Sequence, residues 1–405
     1  RMGPLIGANQ TIMLWAIILV TVAVSIWLEQ RYRWAAALGA IVLILFSGLF
    51  FANIGLIPHS APAYAGIGSV LLPCAIPLFL FKCDVKKIIK QSGKLFILFH
   101  IAAIGTVIGV LLACFVFSSY ENTRYLGTLI GAGAVGGTVN CIAMGTIFQM
   151  PEGLLKSYLV VGNFFCGTMI LLFKVLHNTE FIKNFLPRPY DDKITEGVDL
   201  EELAAQNKTE AALFWGSKEI GLKDIATALA VTFTIVGVSQ AICTWVISLK
   251  PPTIIAQTFG SIYLIMTLLT AILATVFPNF FGNIKGAMEL GNIALLSWFF
   301  TIGCSGNIVE IIQGSALSLG ILFIMLFFNL GLAILGAKLI KSTWEDAVIA
   351  ATATIGGPPT AAAVTIGFNW SELVVPGILV GLWGYVVGNY FGIIVGNILG
   401  VPSLL

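Results

Sequence analysis

Twelve apolar runs, most of them long enough to cross a membrane as a helix, leave this chain few folds to choose from. They fall at residues 11–29, 34–54, 65–83, 93–117, 124–148, 154–176, 223–248, 254–277, 286–306, 315–340, 344–367 and 372–399. A helix needs about 20 apolar residues to traverse a hydrocarbon core of ~30 Å. Lipid offers no partner to a backbone N–H or C=O, so only helices and closed barrels span it. Barrel strands alternate apolar and polar residues, whereas these runs are continuous. The expected class is an all-α polytopic membrane protein, multi-pass in a cell (plasma) membrane, the inner membrane of a bacterium. Composition agrees: 58% of the 405 residues are hydrophobic, 10% are charged, and the mean hydropathy is +0.98. The run after Thr11 lacks a small-residue cleavage pattern and is expected to be a retained helix.

A hydrophilic stretch divides the runs six and six. Residues 177–221 hold nine of the nineteen acidic residues, with Pro187, Pro189 and DDKITEGVDLEELAAQNKTE, and read as a solvated linker. The expected organisation is a membrane repeat over 1–176, a cytoplasmic linker over 177–221, and a second repeat over 222–405. GGTVN (Gly136 to Asn140) and GGPPT (Gly356 to Thr360) lie 220 positions apart, and Glu152 matches Glu372 at the same offset. VLLPCAIPLFLFKCDVKKII from Val70 faces IALLSWFFTIGCSGNIVEII from Ile293 at nearly that offset. Three coincidences in register argue for an internal repeat. Broken segments at matching places in two halves point to a secondary transporter.

Charge tests the topology. If all twelve runs cross, Lys and Arg divide nine to twelve between the faces. If the two GG segments are instead re-entrant, entering and leaving on one face, ten crossings remain and the halves come out inverted. Lys and Arg then divide seventeen to four, the bias of a chain whose positive loops stay in the cytoplasm. That arrangement places the linker, the KKIIKQSGK loop, Lys338 and Lys341 inside. The rival is a pair of broken helices crossing in mid-membrane.

Each GG segment breaks a helix where bare backbone survives only if buried in protein or lining a wet cavity. The restarted helix aims its amino-terminal dipole and free N–H groups at the bilayer centre, a site for an anion. Carbonyls left before the break suit a cation. The candidate substrate- and ion-binding residues are therefore Gly136, Gly137, Thr138, Asn140, Gly356, Gly357, Pro358, Pro359 and Thr360. Asn163, Thr301, Ser305, Asn307 and Asn389 rank below them, since a lone polar residue in a membrane helix more often bonds a neighbouring helix. His100 is expected to be a satisfied packing residue. No acidic residue lies in the middle of a run, and Glu289 and Glu310 flank theirs, so a proton relay is disfavoured. Neutral oxygens favour Na⁺ as the coupling ion; no other cofactor or metal is expected. The partners expected are the lipid bilayer and a small-molecule substrate, with room for a second copy in a homodimer. Basic residues are scattered over the loops of a chain of net charge +2, so no nucleic acid is expected.

LLPCAIPLFLFKCDVKKI, GAGAVGGTVN and TATIGGPPTAAA resemble the signatures of the YjcL-like family of uncharacterised membrane proteins, domain of unknown function 819. That family is grouped with cation:proton antiporters and anion transporters, among them bile acid:sodium and sodium:glutamate symporters. The resemblance implies a scaffold domain and a mobile transport domain that works by an elevator-like movement. Where antiporters of that group place an acid this chain has Asn163, which argues against proton exchange. The function expected is ion-coupled uptake or export of a small organic anion, amino acid or short peptide. Alternatives are a channel, or an intramembrane enzyme suggested by GCSG (Gly303 to Gly306), although no histidine follows Ser305 to activate it.

Overall fold

The computed structural model describes residues 4–190, 215–216, 218–250, 252, 255–256, 259–304, 308–368 and 370–403. Most of the linker, with Ser305 and Asn307, lies outside the described residues. Thirteen helices carry the architecture: α1 (Thr11–Arg31), α2 (Ala40–Asn53), α3 (Pro62–Leu80), α4 (Lys94–Val116), α5 (Thr123–Gly136), α6 (Thr138–Ile147), α7 (Glu152–His177), α8 (Leu222–Ser248), α9 (Ile262–Val276), α10 (Ala287–Cys304), α11 (Ile308–Leu339), α12 (Trp344–Gly367) and α13 (Val374–Ile398). Among the described residues, seven stretches are long and apolar enough to cross a membrane unaided: α1, α3, α4, α8, α10, α13 and Ala316–Leu339 of α11.

Some runs fold differently from their expected limits. Residues 34–54 form two helices, because Gly39 takes φ +80° and ends Arg33–Leu38 before α2 begins. Helix α2 has 14 residues, about 21 Å at 1.5 Å per residue. Helix α9 begins at Ile262, eight residues after the expected start at 254.

The helices sort into two groups by their packing. Helices α1, α2, α3, α8, α9 and α10 pack among themselves and form a frame. Helices α4 to α7 and α11 to α13 form a core bundle, centred on the crossing of α4 with α11 and on α13 between the two GG segments. Each half of the chain thus supplies its first three runs to the frame and its last three to the bundle. Apolar helices gain little from hiding from lipid, so close van der Waals approach drives their association. The α4–α11 crossing illustrates this: a Cβ on Gly105 would lie 2.5 Å from the Phe328 carbonyl oxygen, and one on Gly109 2.7 Å from Met325 Cα.

Both GG segments are hairpins of the chain. Along α13, Gly392 lies against Ala132 and Met144, and Gly396 against Thr128 and Phe148. Residues before and after Gly137 therefore share one level, and α6 returns beside α5. In α12, Trp344 donates its indole N–H to His177 Nδ1 at 3.0 Å, and the His177 ring also meets Phe368 at 5.1 Å. The second segment thus starts and finishes at one place. Gly377 of α13 faces Ile349, Ala361 and Thr365 from both of its arms. The two hairpins approach α13 from opposite ends.

Basic loops gather at the end where α12 begins. Lys94 Nζ donates to the Lys341 carbonyl at 2.6 Å, Lys338 Nζ to the Phe185 carbonyl at 2.8 Å, and Trp344 N–H to the Pro187 carbonyl at 3.1 Å. Cysteines replacing Lys94 and Lys341 in a cysteine-free background are expected to be joined by a short bifunctional thiol reagent. In a chain with twelve crossings these positions would be separated by the ~30 Å core, and failure to cross-link would contradict the hairpin arrangement.

Candidate functional site: the meeting of two hairpin tips

At the first tip Gly137 has φ 78° and ψ −174°; at the second Gly357 has φ 70° and ψ −164°. Two turns 220 residues apart share one conformation, in a region of φ that glycine enters without steric cost. Both tips rest on one side chain. A Cβ on Gly137 would lie 3.2 Å from the Tyr385 ring, and one on Gly357 3.1 Å from the same ring atom. Tyr385 is buried on α13, and its ring lies 5.9 Å from that of Phe79 on α3. One tyrosine therefore touches both hairpin tips and the frame. Sequence reasoning missed it; the signal available was a single tyrosine among Gly381, Gly384 and Gly388.

The α13 glycines make this approach feasible. A Cβ on Gly381 would fall 2.6 Å from the Pro358 nitrogen, and one on Gly388 2.7 Å from Gly136 Cα. Any larger residue there would push one tip off the helix.

The polar residues divide by what they bond. Asn140 is fully buried and turns toward α13, donating Nδ2–H to the Tyr385 carbonyl at 3.0 Å and to Asn389 Oδ1 at 2.9 Å. Its nitrogen is committed to the protein, while its Oδ1 has no partner. Asn389 thus joins the first tip. Thr360 donates its hydroxyl to the Gly356 carbonyl at 2.9 Å, tying the second tip to itself. Thr138, Pro359 and Thr360 are half-buried and are the tip side chains nearest to open space. The two tips are also unlike as anion sites. Pro358 and Pro359 have no N–H, so the second restarted helix lacks the donors at its first two positions that Thr138 and Val139 carry in the first.

A second network, also missed by sequence reasoning, lies behind the tips. Asn329 of α11 is fully buried, and its Nδ2 shares two N–H groups among the Ala102 carbonyl at 3.1 Å, Thr106 Oγ1 at 2.9 Å and Thr354 Oγ1 at 3.0 Å. Thr106 in turn donates to the Ala134 carbonyl at 3.2 Å. Ala134 and Thr354 each stand three residues before the glycine of their tip, so one amide straps both hairpins at equivalent positions. Its Oδ1 has no partner. Asn329 could be found in the sequence only as one more amide in an apolar run.

Other candidates lie elsewhere. Thr301 of α10 donates to the Trp298 carbonyl at 2.7 Å and lines a separate cleft. Asn163 is on α7, with its side chain outside what is described. Glu289 pairs with Lys218 at 2.5 Å, away from both tips. His100 packs as expected: its Nδ1 bonds the Phe96 carbonyl at 2.8 Å and its Nε2 accepts from Trp383 Nε1–H at 3.1 Å.

Asn329→Leu removes the amide that links the Ala102 carbonyl, Thr106 and Thr354, a cost of roughly 2–3 kcal/mol. Its apparent melting temperature in detergent is expected to fall well below that of Asn53→Leu, whose amide bonds only the Leu49 carbonyl of its own helix. Equal melting temperatures would show that the strap carries no load.

Two comparisons with known proteins bear on this arrangement. The uncharacterized membrane protein YjcL of Bacillus subtilis (strain 168) is 35% identical over 402 residues, covering 98% of each chain. A family model described as "Protein of unknown function (DUF819)" matches residues 16–401. With its multiple membrane-spanning helices, the chain belongs to that DUF819 family of membrane proteins.

Proposed function

We propose that the protein is an ion-coupled secondary transporter of a small organic anion, amino acid or short peptide, working by alternating access of an elevator type in the plasma membrane. The observation that carries this reading is the meeting of both hairpin tips on Tyr385. Two breaks in opposed segments bring unpaired backbone and short polar side chains to one buried place, which is how membrane proteins build a site at mid-depth. The split into a frame and a bundle, with both tips in the bundle, supports motion of the bundle against the frame. In this reading the two repeats have inverted topology, ten runs cross, and the hairpins re-enter from opposite faces.

The tips take different charges. The first offers backbone N–H groups at Thr138 and Val139 to a carboxylate, helped by the dipole of α6. The second lacks those donors and keeps carbonyl oxygens at Gly356 and its neighbours, with the Thr360 hydroxyl beside them, suiting Na⁺. No carboxylate or histidine is among the tip residues from Gly136 to Asn140 or from Gly356 to Thr360, so a proton has no obvious carrier there.

Substrate and Na⁺ are expected to strengthen each other's binding equally, as linkage requires. Thr360→Val should weaken the Na⁺ dependence of uptake into proteoliposomes by about fivefold or more, the size expected from losing ~1 kcal/mol of polar contact. Uptake should change little between pH 6 and pH 8 (roughly the range in which only histidine titrates). Uptake driven by a pH gradient with Na⁺ absent would overturn the Na⁺ assignment.

A further inference from the structure

Between the returning arm of the first hairpin and the frame lies a cleft of about 470 Å³, within the range of small-molecule sites. Its walls come from the loop after α2, from α3, α9 and α10 on the frame side, and from α6 and the start of α7 on the bundle side. His59, whose Nδ1 meets the Cys304 carbonyl at 2.9 Å, stands on its wall. Ile142 on its wall stands four residues past Thr138, about 6 Å along the helix. The cleft therefore leads toward the first tip.

Resting on the transporter reading above, we propose that this cleft holds the body of the substrate, and that the substrate is a monocarboxylate with an aromatic or large aliphatic group, such as an aromatic amino acid or a hydrophobic dipeptide. The chemistry of the wall selects this class. Tyr64, Tyr263 and Trp298 present aromatic surface, joined by Leu72, Ile142 and Met150. Among the described residues no Asp, Glu, Lys or Arg lines it, and His59 is the one lining side chain able to carry positive charge. Three wall hydroxyls are engaged within their own segments: Thr301 donates to the Trp298 carbonyl, Tyr64 to the Pro58 carbonyl and Thr146 to the Ile142 carbonyl at 3.2 Å. A second carboxylate in this place would lose its hydration with no lysine or arginine to pair with, which is costly. A single carboxylate can instead reach the N–H groups of the first tip while the apolar body stays in the cleft. Aromatic rings also gain from offset or edge contacts with the wall rings. Thr146 of α6 and Tyr263 of α9 face the cleft from bundle and frame, so a bound body lies where the two groups separate.

The test uses the full chain, purified and reconstituted in nanodiscs, with L-phenylalanine and L-leucyl-L-phenylalanine against succinate and L-glutamate. Binding is read as Na⁺-dependent thermal shift and as quenching of intrinsic tryptophan fluorescence. Thr146 is exposed on α6, so Thr146→Trp fills the cleft without disturbing the core, and Thr146→Ser keeps it open. Both hydrophobic probes are expected to raise the melting temperature when Na⁺ is present, and succinate to leave it unchanged. Thr146→Trp and Trp298→Ala should each weaken probe binding about tenfold or more, the effect of losing ~1.4 kcal/mol, while Thr146→Ser binds as the parent does. If succinate or glutamate stabilises the protein with Na⁺ and Thr146→Trp leaves that response intact, the cleft assignment fails and the transporter reading stands. If the hydrophobic probes bind but ignore both cleft variants, the assignment fails as well. If none of the four acts with Na⁺, both readings fall together.

Discussion

A helix broken inside lipid leaves backbone groups that no water can satisfy, and each unmet group costs several kcal/mol. This chain breaks two helices, at Gly137 and Gly357, and the rest of the bundle is arranged around that cost. Helix α13 runs past both tips with glycines where they press closest, Gly381 against Pro358 and Gly388 against Gly136. The amide of Asn140 takes the Tyr385 carbonyl and Asn389 as partners. Proline at the second restart removes two N–H groups that would otherwise have needed acceptors.

The same constraint explains why the core bundle holds together as a unit. The Asn329 amide reaches both hairpins through Thr106 and Thr354, at a crossing where Gly105 lets two backbones touch. Hydrogen bonds in such a dry setting are stronger than in water, and a break in the chain leaves groups stranded. Moving one hairpin without the other would break this strap. A rigid bundle sliding against the frame would preserve it, which supports the elevator-type movement proposed above.

The base of the second hairpin is tied down too. Trp344, His177, Phe368 and Trp370 form one cluster, with the Phe368 and Trp370 rings stacked at 4.5 Å. Arg188 donates to the His177 carbonyl at 2.6 Å, and Tyr190 N–H to Glu345 at 3.1 Å. The first residues of the linker therefore rest on the hairpin base, so the connection between the two halves also secures the second hairpin.

Local composition was enough to determine the membrane class, the places where helices fail, and the matching of those places between halves. Apolar length and glycine pairs are properties of short stretches. Element limits were less legible: Gly39 splits an apolar run that composition alone reads as continuous. Side-chain assignments were less legible still. Asn140 reads from the sequence as a ligand-facing amide, yet its partner Tyr385 lies 245 positions away, and Asn329 meets Ala102 across 227. Which face of a helix a residue turns to a neighbour depends on crossing angle and register between distant segments. That is a property of the packed bundle, and only the tertiary structure decided that one tyrosine would stand between both tips.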